Sequence, residues 1–186
     1  MSEEEEQQLQ TNNGHAKQAG ESANPIQSKE LRRKKFLVTP KFRVLSTKFD
    51  HLETRNVGNA SFNITMNVEL AVKNANFGPY KYKNSTIYFY YNGVSIGEAF
   101  ISQGKAGFKS SKKFNVIVNL SSNDMLAKDL KLRTDLSSGT LILTSKSKLD
   151  GKVKLLFVIK KKKSTEMDCT ITVGLTGKVV RDIECN

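Results

Sequence analysis

The sequence predicts an all-β protein, an antiparallel β-sandwich with one short helix. Three observations carry this. Ser61 to Lys73 alternates apolar and polar residues with period two, the pattern of a strand with one wet face. Asn92-Gly93 follows the aromatic run Ile87 to Tyr91, and Asn-Gly supplies two residues tolerant of positive φ, as a tight hairpin needs. Further short β-prone stretches recur to the end of the chain between turn-forming residues, a spacing of antiparallel sandwiches and barrels.

The elements follow in order. Residues 1–30 are rich in Glu, Gln, Asn, Gly, Ser and Ala, with Leu9 and Ile26 isolated. They have little to bury against the entropy of ordering, so they read as disordered. Leu31-Arg32-Arg33-Lys34-Lys35 closes this tail, which divides the chain into a tail with a basic cluster over 1–39 and a sandwich over 40–186. In the strand from Ser61, the residues Phe62, Ile64, Met66, Val68, Leu70 and Val72 are expected to face inward. Asn74 to Pro79 is a turn-rich link. A two-residue turn at Asn92-Gly93 pairs Tyr91 with Val94 and Phe89 with Ile96. Phe114, Val116, Val118 and Leu120 alternate again. Ser122 or Asn123 is placed to cap a helix from Asp124 to about Leu136, with Leu126 and Leu130 one turn apart.

Thr140 to Lys148 and Val153 to Ile159 read as two strands across Asp150-Gly151. A two-residue turn there does not align their apolar positions, so a bulge or longer loop is expected. Cys169 to Leu175 and Val179 to Cys185 form a last hairpin around Thr176-Gly177-Lys178. Its three-residue loop sets Leu175 opposite Val179 and Cys169 opposite Cys185. Ile171, Val173, Leu175, Val179 and Ile183 make one apolar face, interrupted by Arg181. Directly opposed strand cysteines come close enough for a disulfide, and two buried free thiols are an equally good reading.

Composition bounds the rest. The chain has 186 residues, 38% hydrophobic and 26% charged, which suits one domain plus a tail. Its longest strictly apolar runs, Ile87 to Tyr91 and Leu155 to Ile159, fall far short of the ~20 residues of a spanning helix. No charged leader followed by an apolar stretch opens the sequence. The net charge is +12, and residues 1–35 are balanced, so the excess lies on the predicted sandwich. Most of its cations are lysine, a hydrated point charge that favours loose attraction to polyanions over reading of bases. Lys160, Lys161, Lys162 and Lys163 are placed at a strand end or loop. They are the candidate polyanion contact, for anionic lipid or a cell-wall polyanion, with an edge strand guarded by lysine as the simpler reading. Sequence-specific nucleic-acid recognition is disfavoured.

Little points to catalysis. His15 and His51 lack metal-ligand spacing. Asp50-His51-Leu52-Glu53 alternates faces along a strand. Gly93-Val94-Ser95-Ile96-Gly97 matches a nucleophile-elbow pattern, but strand follows strand here, which makes it a hairpin. No phosphate-binding glycine loop is present. The reading is therefore of a protein that is not an enzyme, with no catalytic residue, cofactor or metal site. Asn59, Asn63, Asn84 and Asn119 each begin an Asn-x-Ser/Thr triplet, a glycan acceptor in a secreted chain. Asn63 and Asn119 fall on the polar parity of their strands.

Val72-Lys73-Asn74-Ala75-Asn76-Phe77, the hairpin Ile87 to Gly97, and the late Cys169 and Cys185 together resemble the plant late embryogenesis abundant group-2 domain. The resemblance covers residues 40–185 and is nearest to the harpin-induced, hydroxyproline-rich-glycoprotein-like branch. It implies a fibronectin-type-III-like sandwich, plasma-membrane attachment with the sandwich on the wall side, roles in pathogen response or abiotic stress, and no catalytic residues. Ala75 stands where the family often has proline. Members of the branch carry a membrane helix where this chain runs from Arg32-Arg33-Lys34-Lys35 through Phe36-Leu37-Val38 to Thr39-Pro40. The chain as written is thus expected to stay cytosolic with its four asparagines unmodified, whereas the family resemblance points to the plasma membrane. Three functions follow: a non-enzymatic stress- or defence-associated sandwich at the membrane or wall, a soluble intracellular protectant, or a lysine-rich polyanion-binding module.

Overall fold

The computed structural model describes residues 37–122, 126, 128–155 and 159–186. The expected disordered tail, its basic cluster and a helix start at Asp124 lie outside these residues. Two antiparallel sheets are present. The first has the order β1 (Lys41–Arg55), β2 (Ser61–Asn74), β7 (Ser110–Ser121). The second, seven-stranded, starts with β10 (Val179–Cys185), β9 (Ile159–Gly174) and β8 (Thr140–Leu155). Along β8 then lie β3 (Tyr80–Tyr82) and β4 (Ser85–Tyr91), with β6 (Gly104–Ala106) beyond β3 and β5 (Val94–Ile101) beyond β4. The sheets meet at both margins, where β1 touches β9 and β10 and β7 touches β5 and β6. Among the described residues a short helix, α1 (Leu130–Ser138), precedes β8.

The period-two reading of β2 gives the core directly. Phe62, Ile64, Met66, Val68, Leu70 and Val72 are all buried and join Ile87, Phe89, Tyr91, Leu141, Leu143, Ile171 and Val173 in one cluster. Between β4 and β5, Asn92 and Gly93 both take positive φ, 47° and 78°, as a two-residue turn requires. Tyr91 pairs with Val94, but Phe89 pairs with Gly97, because a bulge after Tyr90–Ser95 leaves Ile96 without a partner. The bulge keeps Phe89 and Ile96 both buried.

Two expectations are corrected. First, Asp150-Gly151 is no turn: β8 is one strand, and its pairing with β9 runs unbroken from Thr140–Gly174 to Leu155–Ile159. Leu141, Leu143, Ser145, Ser147, Leu149 and Val153 are all buried on a single parity. The two serines broke the apolar pattern. Gly151 serves close approach instead, since a Cβ there would overlap the Tyr80 ring and the Lys81 carbonyl. Second, the last hairpin pairs Gly174 with Val179, and a bulge at Arg181 restores the register so that Cys185 still faces Cys169. Val179 is consequently half exposed, not on the apolar face. α1 begins after Asp129, whose Oδ1 accepts the Lys131 N–H at 2.8 Å. Leu132 is buried and Leu130 is exposed.

The β2–β3 link is held by two buried amides. Asn74 Nδ2 donates to the carbonyls of Gly78 (2.8 Å) and Gly107 (2.6 Å). Its Oδ1 accepts from the backbone N–H and the side-chain amide of Asn76, at 3.1 and 2.9 Å. Asn76 in turn pairs like a strand with Val38: Nδ2 donates to the Val38 carbonyl and Oδ1 accepts the Val38 N–H, both at 2.7 Å. Each amide is bonded on both its oxygen and its nitrogen, as burial demands.

Ile64→Asp should leave the chain unfolded by circular dichroism, because it buries an unpaired carboxylate among apolar side chains. Asn63→Asp, one residue away on the exposed face, should melt like the wild type, and equal melting of both would invert the strand. Asn76→Ala should cost roughly 1–3 kcal/mol in urea titration, the penalty for orphaning buried polar groups of Val38 and Asn74.

Candidate functional site

The sheet surface formed by β6, β3, β8 and β9 carries an ordered charge pattern. Tyr80, Tyr82, Val153 and Ala106 point inward, so alternation turns Lys81, Lys105 and Lys152 outward. Pairing then aligns them: Lys105 faces Lys81, Lys81 faces Lys152, and Lys152 faces Lys162. Strands lie about 4.8 Å apart, so this row of lysines spans roughly 14 Å. One step along, Lys154 faces Lys160 on the same surface. Like charges directly opposite destabilise a sheet. Among the described residues none of these lysines has an acidic partner within ion-pair distance.

The same two strands show the opposite arrangement further along. Lys146 faces Asp168 with Nζ–Oδ2 3.1 Å, and Lys148 faces Glu166 with Nζ–Oε1 3.0 Å. Asp150, which follows, faces Ser164 and accepts its hydroxyl. The β8–β9 surface therefore passes from neutralised pairs to doubled cations. Tyr80 braces the strands beneath the row. Its hydroxyl lies 2.9 Å from the Leu149 carbonyl on β8 and 3.1 Å from the Lys163 carbonyl on β9.

Lys160 to Lys163 lie at a strand end, the start of β9, and not in a loop, so the strand splits them between its faces. Lys160 and Lys162 join the lysine surface. Lys161 and Lys163 pair with Val153 and Gly151 on the other side, where Lys163 Nζ approaches Thr39 Oγ1 at 3.4 Å. Lys81 and Lys105 escaped the sequence reading because their cross-strand neighbours are remote in sequence, and Lys152 and Lys154 because Asp150-Gly151 imitates a turn. The local signals for their outward placement are alternations, Tyr80-Lys81-Tyr82 on β3 and Lys152-Val153-Lys154 on β8.

The other candidate residues are dispersed. Asn59, Asn63, Asn84 and Asn119 are all exposed. Asn63 and Asn119 share one face of the β2–β7 pair, where Asn119 Oδ1 accepts the Thr65 hydroxyl at 2.9 Å. Asn84 Oδ1 accepts the Gln103 N–H at 2.6 Å. Cys169 and Cys185 are joined as a disulfide across β9 and β10, with Cys169 in the core. His51 Nε2 lies 3.2 Å from Glu53 Oε1 at an exposed site. Ser95 sits in the β4–β5 hairpin, paired with Tyr90. Among the described residues no group of three or more His, Cys, Asp or Glu could hold a metal ion.

Burial, then the Asp150 charge and Tyr82, push the Tyr80 hydroxyl up from 10.0 to about 12. The folded chain keeps this proton where the unfolded chain releases it, so stability held below pH ~10 is lost as pH rises towards ~12. Urea midpoints measured across that window should fall less steeply for Tyr80→Phe than for the wild type. Equal slopes would remove Tyr80 from the alkaline transition.

The sequence profile described as late embryogenesis abundant protein matches residues 69–171. A late embryogenesis abundant protein of Arabidopsis thaliana is 32% identical over 134 residues, 70% of this chain and 61% of that protein. The chain thus spans about three-fifths of the length of this curated relative. Two solved structures are loosely similar. A protein from Archaeoglobus fulgidus has a TM-score of 0.34 and 12% identity, covering 70% of this chain and 97% of its own. An Arabidopsis thaliana protein solved in solution has a TM-score of 0.37 and 13% identity, covering 71% and 82%. At these scores neither structure bears on function. The matched profile spans more than half of the chain, from the second half of β2 into β9, and on that ground this sandwich belongs to the late embryogenesis abundant family.

Proposed function

We propose that the chain is a non-enzymatic, stress- and defence-associated protein of the harpin-induced, hydroxyproline-rich-glycoprotein-like branch. It acts at the plasma membrane or cell-wall face, through a lysine surface that holds polyanions. In this reading residues 1–39 are the tail and 40–186 the working sandwich. The observation that carries it is the row Lys105, Lys81, Lys152, Lys162. Side-by-side cations repel one another, and an anionic polymer or surface relieves the repulsion of all of them at once. The arrangement asks only for density of negative charge, since lysine offers no fork for reading a particular group. The exposed positions of Asn59, Asn63, Asn84 and Asn119 are compatible with glycans on a wall-facing sandwich. Mass spectrometry of protein from its native tissue tests this, and unmodified cytosolic protein would favour the intracellular protectant instead.

Replacing Lys81, Lys105, Lys152 and Lys162 together with Gln should weaken retention on heparin and polygalacturonate and flatten its dependence on salt. Thermal stability should hold or rise, because like-charge repulsion is removed. Lys146→Gln with Lys148→Gln, where the cations already have partners, should keep wild-type retention. If the fourfold variant also kept it, the surface would not be the contact.

A further inference from the structure

The end of the sandwich next to the lysine row carries two phenylalanines that the core does not use. Phe77 lies in the β2–β3 link and Phe108 in the β6–β7 turn, 47% and 57% exposed. Their rings meet edge to face with centroids 5.3 Å apart. Lys109 Nζ stands 3.9 Å from the centre of the Phe77 ring. Buried groups hold both loops in place. Asn74 Nδ2 bonds Gly78 in one loop and Gly107 in the other. Lys109, at φ 42°, donates its backbone N–H to the Asn76 carbonyl at 3.2 Å. The lysine surface reaches this tip, since Lys154, opposite Lys160, donates its N–H to the Pro79 carbonyl, two residues from Phe77.

Apolar rings that project beyond a cationic surface meet both demands of an anionic bilayer interface. The rings suit the boundary between headgroups and acyl chains, and the lysines suit the headgroups. Lysine stems lie along apolar surface while their ammonium groups reach water, and Lys109 holds its ammonium over the Phe77 ring face. This cation takes one face of Phe77 and so leaves less open ring face for a stacked sugar. A second copy of the chain would bring like-charged surfaces together.

We propose that the Phe77–Phe108 tip, with the adjoining lysines, is a docking edge for an anionic lipid bilayer. This rests on the lysine surface being a polyanion contact, and not on the wall-facing placement, because anionic lipid lines the cytoplasmic leaflet. The chain has no tryptophan, so Phe108→Trp in the full chain is a single reporter. Its emission should move to shorter wavelength with vesicles of phosphatidylcholine containing about one-third phosphatidylserine, and not with phosphatidylcholine alone. Phe77→Ser with Phe108→Ser should lower partitioning onto the anionic vesicles about tenfold or more, with heparin retention unchanged. Anionic vesicles that bind the Trp reporter without shifting its emission, or serine variants that partition like wild type, would overturn the docking edge. The polyanion reading would stand, because it is tested by the lysine variants on heparin. A shift with soluble polygalacturonate but not vesicles, or one that grows with protein concentration without lipid, would also overturn it, in favour of a polysaccharide or a second copy.

Discussion

The paired amides of Asn74 and Asn76 are the constraint on which the working end of this sandwich depends. Where the chain leaves β2 and crosses to the other sheet, its backbone groups lose their strand partners while still buried. Asn74 supplies amide donors to the carbonyls of both neighbouring loops, and Asn76 forms a one-residue imitation of a strand with Val38. Gly78 completes the crossing, because a Cβ there would overlap the Lys154 carbonyl. That close approach lets Pro79 accept the Lys154 N–H and sets β3 in register with β8. The register of β3 in turn decides that Lys81 stands opposite Lys152. The amide network and the lysine row are two consequences of one crossing.

The lysine surface sets stability against use. Opposite charges at Lys146–Asp168 and Lys148–Glu166 show that these strands accommodate neutralised rungs. A few residues further on the same strands present lysine against lysine, at an expected cost in sheet stability. What offsets that cost lies below the surface. The Tyr80 hydroxyl bridges carbonyls of β8 and β9, and Tyr80 and Tyr82 lie tilted with ring centroids 6.0 Å apart beneath the row. Gly151 and Gly104 are placed where a Cβ would overlap those rings. The small residues admit large aromatics, and the aromatics hold together the strands whose charges repel.

How much could be read beforehand differs from element to element. The inward face of β2 was legible because alternation is a local signal, and so was the Asn92-Gly93 turn, because positive φ is a property of the residues themselves. The extent of β8 was not, since Ser145 and Ser147 interrupt its apolar parity and Asp150-Gly151 imitates a turn. A glycine admitted for close approach and a glycine admitted for positive φ look the same in sequence. The last hairpin was misread by one residue at its turn and corrected by the bulge at Arg181, so Cys169 and Cys185 still face each other.

The sequence by itself determined the fold class, the core face of β2, the tight β4–β5 turn, the excess of lysine and the membership of the family, because each follows from local pattern or from residue identity. Only the tertiary structure decided which lysines stand together. Lys81, Lys105, Lys152 and Lys162 come from four different strands, and their alignment is fixed by the pairing of β6, β3, β8 and β9. The contiguous Lys160 to Lys163, conspicuous in sequence, is divided by the pleat, because successive side chains of a strand point to opposite faces. Phe77 and Phe108 likewise meet only because buried amides bring two loops to one end of the sandwich. Contacts between residues far apart in sequence are set by register, and register is a property of the packed sheets.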